Sequence, residues 1–170
     1  MVERRTITDN LMIRYEGLFS LDELCRVIED WQRQNGYEKH ILKDFEHVTK
    51  KGKNIEIDMQ PWKNINENER SAIRLIILIK NMRDVFVKVT GAKMKMNQGE
   101  VLVRISGYHL SDLAHKWEGK SYVYFIRAVI NKYIYRISPE DKRDGLVAGD
   151  LNSLYHNIRA YLNLVRRRVQ

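Results

Sequence analysis

The chain of 170 residues contains one cysteine, two prolines and no long apolar run. Because a disulfide needs two cysteines, the single Cys25 excludes an intramolecular disulfide, and it equally excludes a cysteine-based metal centre. The longest apolar-rich run, residues 122–137, is interrupted by charged and polar residues, so it falls short of the roughly 20 apolar residues of a membrane span. No apolar core follows the basic first residues, so a signal peptide is not expected. These absences predict a cytoplasmic protein without a membrane segment.

The chain also lacks the sequence signatures of common catalytic and cofactor sites. It contains no glycine-rich phosphate loop, no nucleophile elbow and no paired-carboxylate arrangement. Its five histidines do not have the spacing of a metal-ligand set. We therefore predict no catalytic residue, no metal site and no cofactor, which favours a binding protein over an enzyme.

Positive charge is what the chain has in excess. It carries 30 basic and 22 acidic residues, a net charge of +8. Residues 1–50 hold 8 basic and 10 acidic residues, a net of −2, so residues 51–170 hold 22 and 12, a net of +10. A basic surface attracts nucleic acid, anionic membranes or acidic proteins. The alternative explanation is a charged surface that only keeps the protein soluble.

Apolar spacing predicts one α+β domain over residues 1–170. Ser71–Lys80 is apolar on both faces, so we expect a central strand with other elements packed on each side. Ser20 opens the first helix through a capping box with Glu23, and Gly36 ends it. The other predicted elements are strands at 11–17, 42–49, 54–62, 84–89, 92–97 and 100–108, and helices at 121–137 and 146–167. The predicted fold is an antiparallel meander of about six to seven strands, with an N-terminal helix and two C-terminal helices on its apolar face.

Two dipeptides, Thr90-Gly91 and Gln98-Gly99, predict two-residue hairpin turns because each has glycine at the second position. Counting back from the first turn places Lys88 opposite Lys93. Counting from the second turn places Lys93 opposite Arg104. The two turns together predict a row of cations across one face of the sheet.

This row of cations is the first candidate site. Like charges on facing strand positions destabilise a sheet, so the row indicates either a solvated face or a site for an anionic partner. Phe86 adds a ring on which a base can stack. The second candidate is a polar stripe on the last helix that contains His156 and Asn163 and ends in consecutive arginines. The predicted nucleic-acid-binding residues are Phe86, Lys88, Lys93, Lys95, Arg104, Arg159, Arg166 and Arg167.

We predict a non-enzymatic cytoplasmic binding protein that uses this basic surface on RNA, DNA or a ribonucleoprotein such as the ribosome. One alternative is a small apolar ligand, bound between the sheet and the C-terminal helices. The residues predicted to line that cavity are Met94, Met96, Tyr122, Tyr133, Tyr155 and Tyr161. A third alternative is self-assembly into a homo-oligomer through the last helix pair or an exposed sheet edge.

Two resemblances add expectations to these predictions. The order of elements is similar to that of helix-grip proteins of the START and Bet v 1 kind, in which a curved sheet wraps a long C-terminal helix. The stretches YEGLFSLDEL, HVTKKGKNIEIDMQPW, HKWEGK and RAYLNLVR resemble a family of small archaeal proteins of unassigned function. The second resemblance implies a cytoplasmic archaeal protein and no particular mechanism.

Overall fold

The computed structural model describes residues 3–67, 69–111 and 139–169. These residues form six antiparallel strands and two helices. In chain order the elements are β1 (Glu3–Phe19), α1 (Leu21–Gln34), β2 (Ile41–Thr49), β3 (Gly52–Met59), β4 (Trp62–Asn66), β5 (Glu69–Val89), β6 (Ala92–Ser111) and α2 (Pro139–Val169). The predicted α+β class and antiparallel sheet are confirmed. The described residues contain one C-terminal helix, and the other, predicted at 121–137, lies outside them.

The strands are ordered β1-β6-β5-β3-β2, and β4 pairs with β5 separately. The first strand therefore lies beside the last one, which a simple meander does not allow. The predicted strands do not include β4, because its polar sequence lacks apolar spacing and its backbone hydrogen bonds depend on pairing with β5.

The hairpin turn predicted at Gln98-Gly99 is wrong. The chain runs straight through these residues as part of β6, and Gln98 pairs with Leu18 on one side and Arg83 on the other. A bulge in β5 brings its backbone against Gly99, where an added Cβ would lie 2.8 Å from the carbonyl oxygen of Lys80. Glycine is required here for close backbone approach and not for a turn.

The turn at Thr90-Gly91 is confirmed, and both of its residues have positive φ, 47° and 84°. Lys88 pairs with Lys93 across it, as the turn predicts. The strands predicted at 42–49 and 54–62 correspond to β2 and β3, which form a hairpin with its turn at Lys50-Lys51. A short turn fixes register by residue count alone, which explains why the pairing of Lys88 with Lys93 is predicted correctly.

The core lies between one face of the sheet and the two helices. α1 presents Leu24, Ile28 and Trp31, each at most 1% exposed. α2 begins at Pro139, earlier than predicted, and presents Val147, Leu151, Leu154, Ile158 and Leu162. They pack on strand residues that include Ile73, Leu75, Ile77, Ile79, Val101, Val103 and Ile105.

α2 crosses the sheet from one end to the other. Near its start, the Asp144 carboxylate lies 3.7 Å from Nδ1 of His109, close to the end of β6. Further along, the Tyr161 hydroxyl forms hydrogen bonds with the backbone of Ser20, which lies between the end of β1 and the start of α1. The C-terminal end of α2 therefore lies at the end of the sheet where β1 stops.

Candidate nucleic-acid interface

Residues 85–96 form a two-stranded ribbon that projects from the sheet. On β5 the last partner from β3 is Met82, and on β6 the last partner from β1 is Asn97. Beyond these residues, within the ranges that the structure describes, the two strands pair only with each other, from the pair of Val85 and Met96 to the pair of Val89 and Ala92. Five residue pairs at about 3.4 Å each make the ribbon roughly 17 Å long before its turn.

One face of the ribbon is cationic and carries an aromatic ring. Phe86 is 65% exposed, and Nζ of Lys93 lies 4.9 Å from the centroid of its ring. Lys88 lies opposite Lys93, and within the described part of the chain neither lysine has a salt-bridge partner. Facing lysines without an acid between them cost stability unless a partner supplies negative charge.

Lys95 has a different role at the base of the same face. Its ammonium lies 2.9 Å from the Asp84 carboxylate, and the hydrogen bond from Lys95 lowers the pKa of Asp84. Asp84 also accepts from the Asn97 side chain at 2.9 Å. The charge of Lys95 is thus partly compensated, whereas Lys88 and Lys93 have no acidic partner in the parts of the chain that the structure describes.

The cationic face of the ribbon lies on the helix side of the sheet. Along β6, Lys93 and Lys95 are separated by even numbers of positions from Asn97 and from the core residues Val101 and Val103, so all five lie on the same face of the strand. The Asn97 side chain also accepts from the backbone N–H of Leu21 at 3.0 Å. The first turn of α1 therefore lies directly beside the base of the ribbon.

The arginines at the end of α2 reach the same region. Arg166 lies close enough to Tyr15 to lower its pKa, although burial raises that pKa by more. Arg167 and Arg168 follow and are exposed. Arg159, also exposed, lies about 10 Å back along the helix from Arg166, at 1.5 Å per residue.

A third group of cations lies at the β2–β3 turn, and the sequence-based list of site residues missed it. Lys50 and Lys51 form this turn, and the carbonyl oxygen of Lys51 accepts from Nε of Arg83 at 2.7 Å. The lysine-rich turn was visible in the sequence, but its position beside β5 depends on strand order. We call the cations at this end of the sheet the basic end: Lys50, Lys51, Arg83, Lys88, Lys93, Lys95, Arg166, Arg167 and Arg168.

Arg104 does not lie beside Lys93, contrary to the predicted register. It pairs with Met12 and Ile76 in the middle of the sheet, on the face opposite the helices. It also lies 11 positions from Lys93 on the same strand, which corresponds to roughly 35 Å. The prediction failed because a turn at Gln98-Gly99 would have folded Arg104 back beside Lys93.

The opposite end of the sheet holds a polar cluster of a different kind. The Tyr37 hydroxyl lies 2.9 Å from the Ser71 hydroxyl and donates to Asp150, which also accepts from Lys63. Burial is the main cause of the raised pKa of Tyr37. These groups satisfy one another and hold α2 against the sheet.

Two further ion pairs belong to this polar cluster. Arg143 contacts the buried Glu69, and Arg5 lies 3.3 Å from Asp144. Within the described residues, Nε2 of the buried His109 and Oδ1 of Asp144 have no hydrogen-bond partner. Arg5 and Arg143 of this cluster thus each have an acidic partner.

Two of the residues predicted to line a ligand cavity, Met94 and Tyr161, are not brought together. Met94 is 46% exposed on the ribbon, and Tyr161 binds the start of α1. Where α2 meets the sheet, a Cβ built on Gly107 would lie 2.2 Å from Leu151, so the two surfaces touch there. Tyr122 and Tyr133 lie outside the described residues.

Comparison with protein-family models, with curated proteins and with solved structures gives no match. Among the described residues, neither α1 nor α2 is long and apolar enough to cross a membrane.

Proposed function

We propose that the protein is a non-enzymatic binding protein whose basic end docks on nucleic acid, either free or within a ribonucleoprotein. The observation that carries the proposal is the facing pair Lys88–Lys93 on a projecting ribbon, with no acid between them. Phosphate groups would supply the missing negative charge, and the exposed ring of Phe86 would offer a stacking surface.

The contrast between the two ends of the sheet supports the proposal. At the polar cluster Lys63 pairs with Asp150, and Arg143 pairs with Glu69. A solvated surface kept only for solubility is expected to interleave both signs in the same way. At the basic end, three separate segments of the chain contribute cations, and only Lys95 among them has a salt bridge within the described residues.

Binding is tested by fluorescence anisotropy with labelled single- and double-stranded DNA and RNA, at salt concentrations from about 50 to 200 mM. The test variant is Lys88→Glu/Lys93→Glu. The matched control is Arg14→Glu/Arg104→Glu, which changes the net charge equally but alters exposed residues on the opposite face. Thermal unfolding of both variants checks that each still folds.

The ribbon variant should bind at least about 10-fold more weakly. The slope of log K against log salt concentration should become shallower by about two, one for each lost phosphate contact. The control should retain most of the affinity. If no nucleic acid binds, or if both variants lose affinity equally, the proposed site is wrong.

A further inference from the structure

We infer that the ribbon enters the major groove of double-stranded DNA; this inference rests on the function proposed above. The B-form major groove, about 12 Å wide and 8.5 Å deep, admits a two-stranded β-ribbon. The major groove of A-form RNA is deep and narrow and excludes side chains. The ribbon of residues 85–96, which has no third strand beside it among the described residues, is therefore a shape that fits duplex DNA better than duplex RNA.

The length of the ribbon suits this geometry. At roughly 17 Å it is about twice as long as the major groove is deep, so its tip reaches the groove floor while its base stays outside. Lys88 and Lys93 are one pair away from the last pair before the turn. Lysine can donate to the O6 and N7 atoms of guanine, so this position near the tip allows contacts to bases as well as phosphates.

The remaining cations flank the base of the ribbon on both sides. The strand order β1-β6-β5-β3-β2 places the Lys50-Lys51 turn on the β3 side of the ribbon. It places β1, and with it the C-terminal arginines of α2, on the β6 side. A groove is bordered by two phosphate backbones, and cations on both sides of an inserted element match that arrangement. A single strand offers only one such backbone.

Exposed apolar side chains on the ribbon fit the same partner. Phe86 and Met94 lie on opposite faces of the ribbon, and both are exposed, by 65% and 46%. In the major groove, apolar side chains contact the C5-methyl group of thymine. A ribbon that contacts only phosphate would gain nothing from either residue.

The experiment compares duplexes of one sequence, about 20 base pairs long, made as DNA and as RNA, together with the single DNA strand. A fourth probe is the DNA duplex with glucosylated 5-hydroxymethylcytosine, whose sugars fill the major groove. Netropsin, which occupies the minor groove, serves as the competitor. Affinities are measured at one fixed salt concentration with the full chain.

We expect the DNA duplex to bind at least about 10-fold more tightly than the RNA duplex and the single strand. Glucosylation should weaken binding by at least about 10-fold, and netropsin should leave it unchanged. Phe86→Ala should reduce the preference for DNA duplex while leaving the salt slope unchanged, because it removes no phosphate contact.

Equal affinity for DNA and RNA duplexes, tighter binding to RNA or to the single strand, or indifference to glucosylation would overturn the groove inference. These outcomes would leave nucleic-acid binding by the basic end in place. Failure to bind any of the probes would overturn the proposed function and the groove inference together.

Discussion

The hydroxyl of Tyr161 binds both backbone polar groups of Ser20. It accepts from the Ser20 N–H at 3.0 Å and donates to the Ser20 carbonyl oxygen at 3.1 Å. The Ser20 side chain meanwhile accepts from the N–H of Glu23 at 3.3 Å, which confirms one half of the predicted capping box. Tyr161 thus fixes the C-terminal half of α2 to the start of α1, beside the base of the ribbon.

Replacement of Tyr161 by phenylalanine should lower the free energy of unfolding by about 1–3 kcal/mol, because two hydrogen bonds to partly buried groups are lost. Urea unfolding measures the change. Tyr155→Phe is the matched control, since the described residues show no hydrogen bond from the Tyr155 hydroxyl and the side chain is also half-buried. Similar losses in both variants would contradict a specific role for the Tyr161 hydroxyl.

The same contact predicts a pH dependence at the alkaline side. Burial, more than any other cause, raises the pKa of Tyr161 from 10.0 to about 12. Because the folded state holds this proton more tightly than the unfolded state, the contribution is fully present below pH 10 and is lost as pH rises towards 12. The stability difference between the natural chain and Tyr161→Phe should shrink over that range. A difference that stays constant would contradict the prediction.

Close packing of α2 on the sheet predicts a clash at Gly107. An added Cβ would lie 2.2 Å from Cδ1 of Leu151, whose side chain is fully buried. Gly107→Ala should therefore destabilise the protein by about 1–3 kcal/mol through overpacking. Leu151→Ala alone should cost about 2–5 kcal/mol by leaving a cavity.

The double variant Gly107→Ala/Leu151→Ala separates overpacking from other effects of alanine in the strand. The new methyl group then occupies part of the space that leucine vacates, so the double variant should lose less stability than the two single variants together. Simple additivity in urea unfolding would show that the two residues do not compete for space.

The buried pair of Arg143 and Glu69 predicts an asymmetric response to mutation. The Glu69 side chain is 6% exposed and also accepts from Asn66 at 2.6 Å. Arg143→Met should cost roughly 3 kcal/mol, because the carboxylate keeps its charge and loses its partner. Glu69→Gln/Arg143→Met should cost less, since no buried charge remains.

The exposed pair Lys43–Glu56 is the control for that prediction, with side chains 51% and 37% exposed. Lys43→Met should change the unfolding free energy by less than about 1 kcal/mol, because solvent screens an exposed pair. Equal effects of Arg143→Met and Lys43→Met would show that burial of Glu69 does not matter.

Local signals explain which parts of the fold the sequence predicts well. The turn at Thr90-Gly91 sets the register of the ribbon by counting, and the Ser20 cap sets the start of α1. Non-local pairing explains the errors. Gln98-Gly99 has the composition of a turn, but Gly99 is required because the backbone of the β5 bulge approaches it closely. That contact is between distant parts of the sequence, so a local pattern cannot predict it.

That one error also changed the predicted site. Reading Gln98-Gly99 as a turn placed Arg104 beside Lys93, whereas a continuous strand sends it to the other face of the sheet. The cations of the ribbon depended only on the first turn and were placed correctly. Lys50 and Lys51 were missed as site residues because their neighbourhood depends on the strand order.

The last prediction concerns the arginines of α2, which should contribute to binding separately from the ribbon. Arg166→Glu/Arg167→Glu should weaken binding to nucleic acid and lower the salt slope by about two, one for each phosphate contact. Reversing cations at a helix C-terminus should cost only about 0.3–1 kcal/mol of stability per charge. The variant should therefore fold, and circular dichroism checks that it does.

Arg159→Glu is the positional control because it lies on the same helix, about 10 Å further from the ribbon. It should weaken binding less than the reversal of Arg166 does. Combination of Arg166→Glu/Arg167→Glu with Lys88→Glu/Lys93→Glu should give additive losses, since separate groups of cations contact different phosphates. If the helix variant binds as the natural chain does, Arg166 and Arg167 are not part of the interface.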